Sequence, residues 1–269
     1  MRAARLDYSL EQTEYPNHGF ELAQRAALNG SSIVVAAGGD GTINEVVNGL
    51  LQVSTGNQPV ILGIIPLGSA NDLADALKLP QDVATACQRL AGGNTRLLDV
   101  GIVNGHYFVN NSAIGLEAAV TVEQDQMRRV QGTPRYVLAA VKTIFKAKSW
   151  QARIRWDNGI FEGPITLVSV GNSKRTGGAF YMTPQAKVDD GLLDFIYAIK
   201  MSRRQMLKLL PQTFSGKHVQ HPLIVYLKTT SLSITVNPAT PIQADGEIIN
   251  EAATEINYQL LPQKLRVIV

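Results

Sequence analysis

The sequence has little cysteine, little net charge and no long apolar run, and each shortage excludes a class of protein. The single cysteine, Cys87, cannot form an intrachain disulfide, which fits a reducing compartment. The longest apolar runs, such as residues 61–67, are too short and too interrupted by glycine and proline to span a bilayer. Residues 6–20 are polar and acidic and do not predict a secretory signal. The net charge of +3 is too small to indicate nucleic-acid binding, although it is compatible with weak attraction to anionic lipid.

The remaining composition is that of a soluble globular enzyme. With 269 residues, 45% hydrophobic and 17% charged, the chain can bury one large core or two smaller ones. Its character changes near residue 96. Before that point apolar runs alternate with helical patterns, as in a parallel α/β layer whose strands are covered on both faces. The predicted strands there are 33–37 and 60–65, and the predicted helices are 43–52, 71–77 and 82–91.

After residue 96, shorter alternating segments predict a mainly antiparallel sheet or β-sandwich. The predicted strands are 107–110, 151–156, 165–171, 193–199, 224–228, 231–236 and 264–269, interrupted by helices at about 134–148 and 202–213. We therefore expect an α/β domain with a parallel sheet over residues 1–95, a β-rich domain over residues 96–269, and a cleft between them.

A glycine-rich turn lies in "VVAAGGDGTINEVVNGL", residues 34–50, between an apolar strand and a helix. Such a turn leaves backbone N–H groups unpaired beside the positive end of the helix, which favours a phosphate. The spacing is neither that of a Walker loop nor that of a dinucleotide fingerprint. Asp40 in this turn has two interpretations, magnesium binding or capping of the helix, and this stretch leaves both open.

A second turn repeats this arrangement. In "GIIPLGSANDLADAL", residues 63–77, an apolar strand and a glycine turn lead to Asn71 and Asp72 at another predicted helix start. Two acidic, glycine-containing turns at neighbouring strand ends would face one crevice, where ligands bind in open α/β sheets.

Six motifs together make the sequence recognisable. "GGDGTINEVVNGL", "PLGSANDLA", "LLDVGIVNG", "FVNNSAIGLEA", "AKVDDGLLD" and "QADGEII" occur in this order. In this order and spacing they resemble the catalytic family of bacterial diacylglycerol kinases, soluble lipid kinases related to sphingosine and ceramide kinases, over roughly residues 10–269. GGDGT is shared with NAD kinases, whereas "PLGSAND" is similar to the lipid-kinase element.

The resemblance implies an ATP site at the glycine turn. Asp40 would lie near the metal, Thr42 would donate a hydroxyl, and Ser69 would offer a second hydroxyl where the family usually has threonine. Thr13 matches an upstream nucleotide-contacting threonine, and a helix-flanking cap is an equal alternative there. The residues implied to wrap the phosphates are Gly38, Gly39, Asp40, Gly41, Thr42, Ile43 and Asn44.

The resemblance also implies two magnesium sites. Asp72 and Asp99 look like the family's acidic pair, which approaches Mg²⁺ partly through water; by itself, Asp99 would be a turn residue. In "AKVDDGLLD" a separate structural Mg²⁺ would be bound by the Asp190 carboxylate and by the main-chain carbonyls of Lys187 and Leu192. The alternative is a metal-free β-turn at Asp-Gly.

The chemistry is expected in "QADGEII". Phosphoryl transfer to an alcohol needs the hydroxyl oriented and its proton accepted, and a carboxylate suffices for this. The family places the proton acceptor in this segment, but the sequence leaves open whether Asp245 or Glu247 holds the lipid hydroxyl. A tight turn with solvated acids is the alternative.

Two further features have simpler interpretations than a site. His218 and His221 have the i, i+3 spacing of metal ligands, but no third ligand is evident and Pro222 would end a helix, so surface or packing positions are expected. The basic amphipathic helix at residues 134–148 would face a membrane or pack on the second domain, and packing is the safer expectation.

We therefore expect a cytoplasmic, ATP- and Mg²⁺-dependent lipid kinase that contacts the inner membrane face and a lipid substrate, with a homodimer left open. A catalytically inactive nucleotide- or lipid-binding protein and a kinase for a non-lipid alcohol such as NAD are the alternatives. One departure from the family is that no apolar strand with an Asn-Pro phosphate loop precedes Leu6. We expect the coding region to continue upstream of Met1 with a strand, a glycine turn and a helix.

Overall fold

The computed structural model describes residues 7–53, 59–127, 133–146 and 148–269. The helices are α1 (His18–Leu28), α2 (Asp40–Val53), α3 (Asp72–Ala76), α4 (Val83–Gly92), α5 (Leu116–Asp125), α6 (Thr133–Lys146) and α7 (Arg203–Thr213), with a 3-10 helix at Lys217–Gln220. The strands are β1 (Ile33–Gly38), β2 (Ile61–Pro66), β3 (Thr95–Val103), β4 (His106–Phe108), β5 (Asn111–Gly115), β6 (Trp150–Trp156), β7 (Gly159–Gly171), β8 (Leu193–Ile199), β9 (Ile224–Thr229), β10 (Ser231–Ala244) and β11 (Glu247–Ile268).

The N-terminal part places helices against a pair of parallel strands. β1 and β2 pair in parallel from Ile33 opposite Ile61 to Gly38 opposite Pro66. Helix α2 buries Ile43, Val47 and Leu50, which recur at i, i+4 and i+7 and pack in one cluster with Leu62 of β2. The helix begins at Asp40 rather than at Ile43, so the chain passes from β1 into the first helical turn with only Gly39 between them.

The last strand joins the two parts of the chain. β11 pairs antiparallel with β10 and β3, and near its end Val267 lies opposite Leu62 of β2 in parallel. Within the described ranges, the parallel pairings are β1 with β2 and β2 with β11. The segment predicted as a short strand at 264–269 is therefore the end of a 22-residue strand that pairs with β10, β3 and β2.

The C-terminal part is built mainly from antiparallel pairs, as the alternating segments predicted. In β6, Trp150, Ala152 and Ile154 are buried, while Gln151 and Arg153 between them are exposed. The inward side chains of β5 to β11 form the largest core cluster. All these strands belong to one hydrogen-bonded sheet with β1 and β2, ordered β1-β2-β11-β10-β5-β7-β8-β9 along its main path. The division between residues 95 and 96 stays a prediction.

Helix α5 was not predicted. It follows β5 through Gly115, whose φ of 75° and close approach to the Thr166 carbonyl both require glycine. The helix buries polar residues, Glu117, Thr121 and Glu123, so its sequence lacks a clear apolar period. None of the helices in the described ranges is long and apolar enough to cross a bilayer.

The contact between α1 and α2 generates a prediction. A Cβ at Gly49 of α2 would lie 2.4 Å from the Phe20 carbonyl oxygen, whereas a Cβ at Gly92 of α4 would have no atom within 4 Å. We expect Gly49→Ala to lower the free energy of unfolding by about 1–3 kcal/mol through this overlap. The matched change Gly92→Ala should leave it unchanged or raise it by up to about 1 kcal/mol. Urea unfolding measures both, and equal stabilities would contradict the packing of α1 on α2.

Candidate active site

The two glycine turns touch each other through their backbones. The Leu67 N–H donates to the Gly38 carbonyl over 2.9 Å, at the end of the parallel pair. A Cβ on Gly68 would lie 2.5 Å from the Gly39 Cα, so neither position has room for a side chain. The turns are therefore one rigid unit at the carboxyl ends of β1 and β2, beside the N-terminus of α2.

Asp40 connects this unit to the next helix. Its Oδ1 accepts the backbone N–H of Asp72 at the start of α3 over 2.7 Å. Asn71, in the left-handed region at φ 50°, accepts from the Gly68 N–H and donates to the Gly68 carbonyl, both over 2.9 Å. Asp40 thus fixes the first residue of α3, the helix that follows the second glycine turn. The two sequence interpretations of Asp40, magnesium binding and capping of α2, did not include this role.

Burial raises the pKa of both Asp40 and Asp72. It raises the pKa of Asp72 to about 6, with a further contribution from the Asp40 charge. Opposing this, Arg175 Nε donates to Asp72 Oδ1 over 2.8 Å, and the Gly178 N–H donates to the same oxygen over 3.1 Å. Arg175 follows β7 in the glycine-containing turn of "GNSKRTGG", and sequence analysis did not assign it a role.

The Asp245 carboxylate is fully occupied by donors of the protein. It accepts the side-chain amide of Asn44 over 2.9 Å, and the backbone N–H groups of Val109, Asn110 and Asn111 over 2.9, 2.8 and 3.0 Å. Its own backbone is in the left-handed region at φ 48°. Burial still raises the pKa of Asp245, although each of these hydrogen bonds lowers it. A carboxylate offers about four acceptor positions, and here all are used.

Two residues predicted to wrap ATP phosphates face the interior instead. Ile43 is 1% exposed within the core, and its N–H donates to the Gly39 carbonyl over 3.0 Å. Asn44 is buried, and its amide contacts Asp245 and the Tyr107 carbonyl. Because α2 begins at Asp40, positions three and four residues later turn toward the protein interior. Asn44 therefore connects the glycine turn to the "QADGEII" segment.

Glu247 differs from Asp245 in its surroundings. Its Oε1 lies 3.3 Å from the position that a Cβ on Gly41 would take, directly over the start of α2. The residue as a whole is exposed. Partial burial of its carboxylate raises its pKa, with further contributions from the charges of Asp125 and Glu45. No hydrogen bond within the described ranges engages its side chain, so its oxygens are available to a ligand.

Asp40, Asp72 and Asp245 border one cavity, which we call the polar cleft; Glu247 follows Gly246, a residue of its lining, but does not line it itself. Three predicted site residues, Asp40, Asp72 and Asp245, meet there from distant parts of the sequence. The lining residues are Asp40, Ala70, Asp72, Asn110, Asn111, Thr121, Gln124, Tyr136, Thr176, Gly177, Gln243, Asp245 and Gly246.

A second cavity, the apolar pocket, lies between α5, α6, α7 and the sheet. Its volume is about 700 Å³ including its open mouth. Tyr136 lines both this pocket and the polar cleft, so the two cavities are neighbours. The lining residues are Leu116, Glu117, Val120, Tyr136, Ala140, Ile144, Thr166, Leu167, Phe180, Met182, Ile196, Ala198, Met201, Met206, Leu209, Leu210, Thr213, His218 and Ile224.

Glu117 lies where the two cavities approach each other. Its Oε1 accepts the side-chain amide of Asn111, a residue of the polar cleft, over 2.9 Å. Its Oε2 is buried without a hydrogen-bond partner in the described residues, and burial raises the pKa of Glu117 to about 7. The sequence motif "FVNNSAIGLEA" contains this residue, but its role depends on burial, which sequence alone does not show.

Asp99 is buried and does not line the polar cleft. It is 1% exposed, and its carboxylate accepts the N–H of Gly191 over 2.7 Å and that of Gln263 over 2.8 Å. The Asp99 carboxylate thus holds the turn at residues 187–192 and β11 together, and the approach of Asp72 and Asp99 to one Mg²⁺ stays a prediction.

The turn predicted to hold a structural magnesium contains an ion pair in this structure, and the magnesium stays a prediction. Lys228 Nζ lies 3.0 Å from Asp190 Oδ2 and 3.3 Å from Asp194 Oδ2, and it already supplies a positive charge. The ligands expected besides Asp190 were the carbonyls of Lys187 and Leu192, and the Leu192 N–H donates to Asp190 Oδ1 over 3.3 Å. Across the described ranges, no cluster of three or more His, Cys, Asp or Glu side chains is arranged for a metal; a site with one carboxylate and two main-chain carbonyls is of a different kind.

Three other residues were predicted to contact ATP: Thr42, Ser69 and Thr13. Thr42 folds back over Gly38, where an added Cβ would meet its Oγ1 at 2.5 Å. Ser69 is exposed on the second turn, and Thr13 is exposed in the segment before α1. Their nucleotide contacts stay predictions.

Comparison with known proteins gives a consistent result over the whole chain. Residues 1–103 match the family described as "Diacylglycerol kinase catalytic domain", and residues 110–269 match "YegS C-terminal NAD kinase beta sandwich-like domain". The diacylglycerol kinase of Staphylococcus epidermidis is 33% identical over 84% of this chain and 71% of its own length. That of Bacillus subtilis is 32% identical over 84% of this chain and 74% of its own length. A solved diacylglycerol kinase from Bacillus anthracis shares the fold, with a TM-score of 0.75, 22% identity, and coverage of 99% of this chain and 86% of that one.

The buried Glu117 generates a prediction about pH. Its pKa is about 7 in the folded state against an ordinary value of 4.5, so folding favours its protonated form. Its contribution to stability is complete below about pH 4.5 and is lost as the pH rises toward 7. Glu117→Gln should therefore be more stable than the parent above pH 7, by up to about 3 kcal/mol, with the difference disappearing near pH 4.5.

Urea unfolding of both proteins from pH 4.5 to 8 tests this, with the exposed Glu251→Gln as the control. Parallel stability curves for the parent and Glu117→Gln would show that the carboxyl is ionised in the folded protein.

Proposed function

Because the chain belongs to the diacylglycerol kinase family, whose members are kinases with an alcohol acceptor, we propose that it transfers the γ-phosphate of ATP to the free hydroxyl of a diacylglycerol-like lipid with the help of Mg²⁺. The observation that carries this proposal is the adjacency of the two cavities. The polar cleft presents carboxylates for phosphate chemistry, and the apolar pocket beside it has the lining that acyl chains require.

The two glycine turns, which touch each other at Gly39 and Gly68, support nucleotide binding. Gly39 and Gly68 approach so closely that the backbone itself forms the surface there, and the N-terminus of α2 adds positive partial charge. The nearest hydroxyl residues along the chain are Thr42, three residues after Gly39, and Ser69, directly after Gly68. The phosphates of ATP would lie along residues 38–42, with the γ-phosphate toward the polar cleft.

The polar cleft fits a divalent cation. Burial raises the pKa of Asp72, the charge of Asp40 raises it further, and a cation between the two carboxylates would relieve their repulsion. These two residues would hold Mg²⁺, and Arg175 already offsets part of the Asp72 charge. When bound, the metal would neutralise charge on the phosphoryl oxygens.

Glu247 is the better candidate for the proton acceptor. Asp245 already accepts four hydrogen bonds, whereas the Glu247 carboxylate accepts none from the described residues. Partial burial raises the pKa of Glu247, which makes it a stronger base. In the proposed step, the lipid hydroxyl oxygen forms a bond to the γ-phosphorus and gives its proton to Glu247. The bond to the β–γ bridging oxygen breaks, and ADP leaves with that electron pair.

A radiolabelled-ATP assay on diacylglycerol tests this function. The parent should transfer phosphate to the lipid, with activity that disappears when divalent metal is removed. Glu247→Gln should lower kcat by about 10²–10⁴-fold without loss of stability, because only the proton acceptor is removed. Asp245→Asn should lower the free energy of unfolding by about 1–3 kcal/mol, because its amide would face backbone donors.

Glu251→Gln, an exposed change on the same strand, is the control and should behave as the parent. Transfer to NAD but not to lipid would favour the non-lipid alternative. Full turnover in Glu247→Gln would exclude Glu247 as the proton acceptor.

We further propose that helix α6 brings the enzyme to the membrane. Its outer face exposes Leu138 to 53% and Phe145 to 57%, with Lys142 and Lys146 on the same face. Both lysines pair with Glu123, which neutralises one of the two charges. The inner face of the same helix lines the apolar pocket. An anionic bilayer complements this face, because it accepts apolar side chains and attracts the remaining positive charge.

Vesicle experiments test the membrane face. The double change Leu138→Ser and Phe145→Ser should weaken binding to anionic phospholipid vesicles about tenfold or more, because two apolar side chains no longer enter the interface. Turnover of a water-soluble short-chain diacylglycerol should stay near that of the parent. Leu28→Ser, at a position 73% exposed on α1, serves as the control. Equal vesicle binding by the double variant and the parent would place the membrane contact elsewhere.

A further inference from the structure

Two side chains of the apolar pocket have buried polar atoms without a hydrogen-bond partner among the described residues: Glu117 at its Oε2 and His218 at both ring nitrogens. Most of its lining is aliphatic or aromatic. Two lining hydroxyls are used within the protein: Thr166 Oγ1 donates to the Ile199 carbonyl over 3.4 Å, and Thr213 Oγ1 donates to the Leu210 carbonyl over 2.6 Å. Besides Glu117, which lies toward the polar cleft, the second unpartnered side chain is His218.

His218 is buried to an unusual degree for a histidine without a partner. It is 2% exposed in the 3-10 helix after α7, and neither Nδ1 nor Nε2 makes a hydrogen bond within the described residues. Burial lowers the pKa of His218 to about 4; the Met182 main chain offsets a part of this shift, but its geometry falls short of a hydrogen bond. The ring is therefore neutral at physiological pH, with one donor and one acceptor nitrogen.

An unsatisfied buried polar atom costs about 1–3 kcal/mol, so a phenylalanine or leucine at this position would suit an empty pocket better. His221, three residues away, is only partly buried, and its Nδ1 accepts the Leu223 N–H over 3.2 Å. The two histidines of "HVQHP" thus differ: His221 has a structural hydrogen bond, whereas His218 lines the apolar cavity and its nitrogens are buried and unpaired within the described residues. A ligand with a hydrogen-bonding group would satisfy it.

We infer that His218 donates a hydrogen bond to an ester carbonyl of the acyl chain that fills the apolar pocket, and that it thereby selects ester-linked lipids. This inference rests on the proposed function. In a diacylglycerol, the polar groups are the free hydroxyl and the two esters. The hydroxyl belongs at the polar cleft, so an ester carbonyl is the group left for the pocket. A carbonyl only accepts hydrogen bonds, and the neutral imidazole has one N–H to give.

The test compares two lipids that differ only at this group, dioctanoylglycerol with ester linkages and dioctylglycerol with ether linkages. Binding is measured by calorimetry without nucleotide, and KM and kcat are measured with ATP. The parent should bind the ester lipid about tenfold more tightly than the ether lipid, as expected for one hydrogen bond to a buried group. The difference should appear in KM, with similar kcat for both lipids.

His218→Phe should lose this preference and bind the two lipids equally. His218→Gln, which keeps an N–H donor, should retain part of it. His221→Phe is the matched control and should keep the preference of the parent. Without lipid, His218→Phe should melt at the same temperature as the parent or higher, whereas a purely packing role for His218 predicts a lower melting temperature.

The outcomes separate this inference from the proposed function. A parent that neither binds nor phosphorylates either lipid would contradict the proposed function, and the inference with it. A parent that phosphorylates both lipids with the same KM would contradict only the role of His218. If His218→Phe kept the full preference for the ester lipid, the inference would likewise be overturned. If a folded His218→Phe bound the two lipids equally, the inference would be supported.

Discussion

The carboxylate of Asp245 is the interaction on which the rest of the site depends. It lies at the turn between β10 and β11, and it gathers an amide from α2 and three consecutive backbone N–H groups that lead into β5. These donors come from positions 134 to 201 residues away in the chain. A buried carboxylate is stable only when such donors replace water, so its burial and the arrangement of these segments require each other.

The same requirement applies to the other buried carboxylates of the site. Asp40, Asp72 and Asp245 line the same cleft, and burial raises the pKa of each. Such a concentration of carboxylates destabilises a fold unless hydrogen bonds and cations compensate. Here the Asp72 N–H, Arg175 and the donors around Asp245 supply the compensation. Perturbed acids in a cleft are typical of functional sites, where the energy of burial is used for chemistry.

The position of the apolar pocket follows from the same architecture. Helix α5 begins directly after β5, the strand that Asp245 helps to fix, and its second residue is Glu117. Helix α6 then packs on α5 and presents one face to the pocket and the other to solvent. A single short segment, residues 109–117, therefore contributes to the carboxylate network, to the polar cleft and to the wall of the apolar pocket. The reacting hydroxyl and its acyl chain would be positioned by one continuous piece of backbone.

Local sequence patterns determined the elements and the family. The period-two alternation in β6, the apolar i, i+4, i+7 positions of α2 and the glycine turns after β1 and β2 are signals carried by neighbouring residues, and each corresponds to an observed element. The family followed from six motifs because their order and spacing are also properties of the chain. Most boundaries were close, although β11 was predicted only at its end and α5 was missed because it buries acids.

The roles of individual carboxylates were decided only by the tertiary structure. "LLDVGIVNG", "AKVDDGLLD" and "QADGEII" look alike as acidic turns, yet Asp99 holds a turn, Asp190 pairs with Lys228, and Asp245 gathers four donors while Glu247 remains free. The same holds for His218, which has no hydrogen-bond partner in the described part of the chain, whereas its neighbour His221 has one. Sequence spacing reports which residues share an element, whereas the charge and reactivity of a side chain depend on burial and on partners that are often a hundred or more residues away.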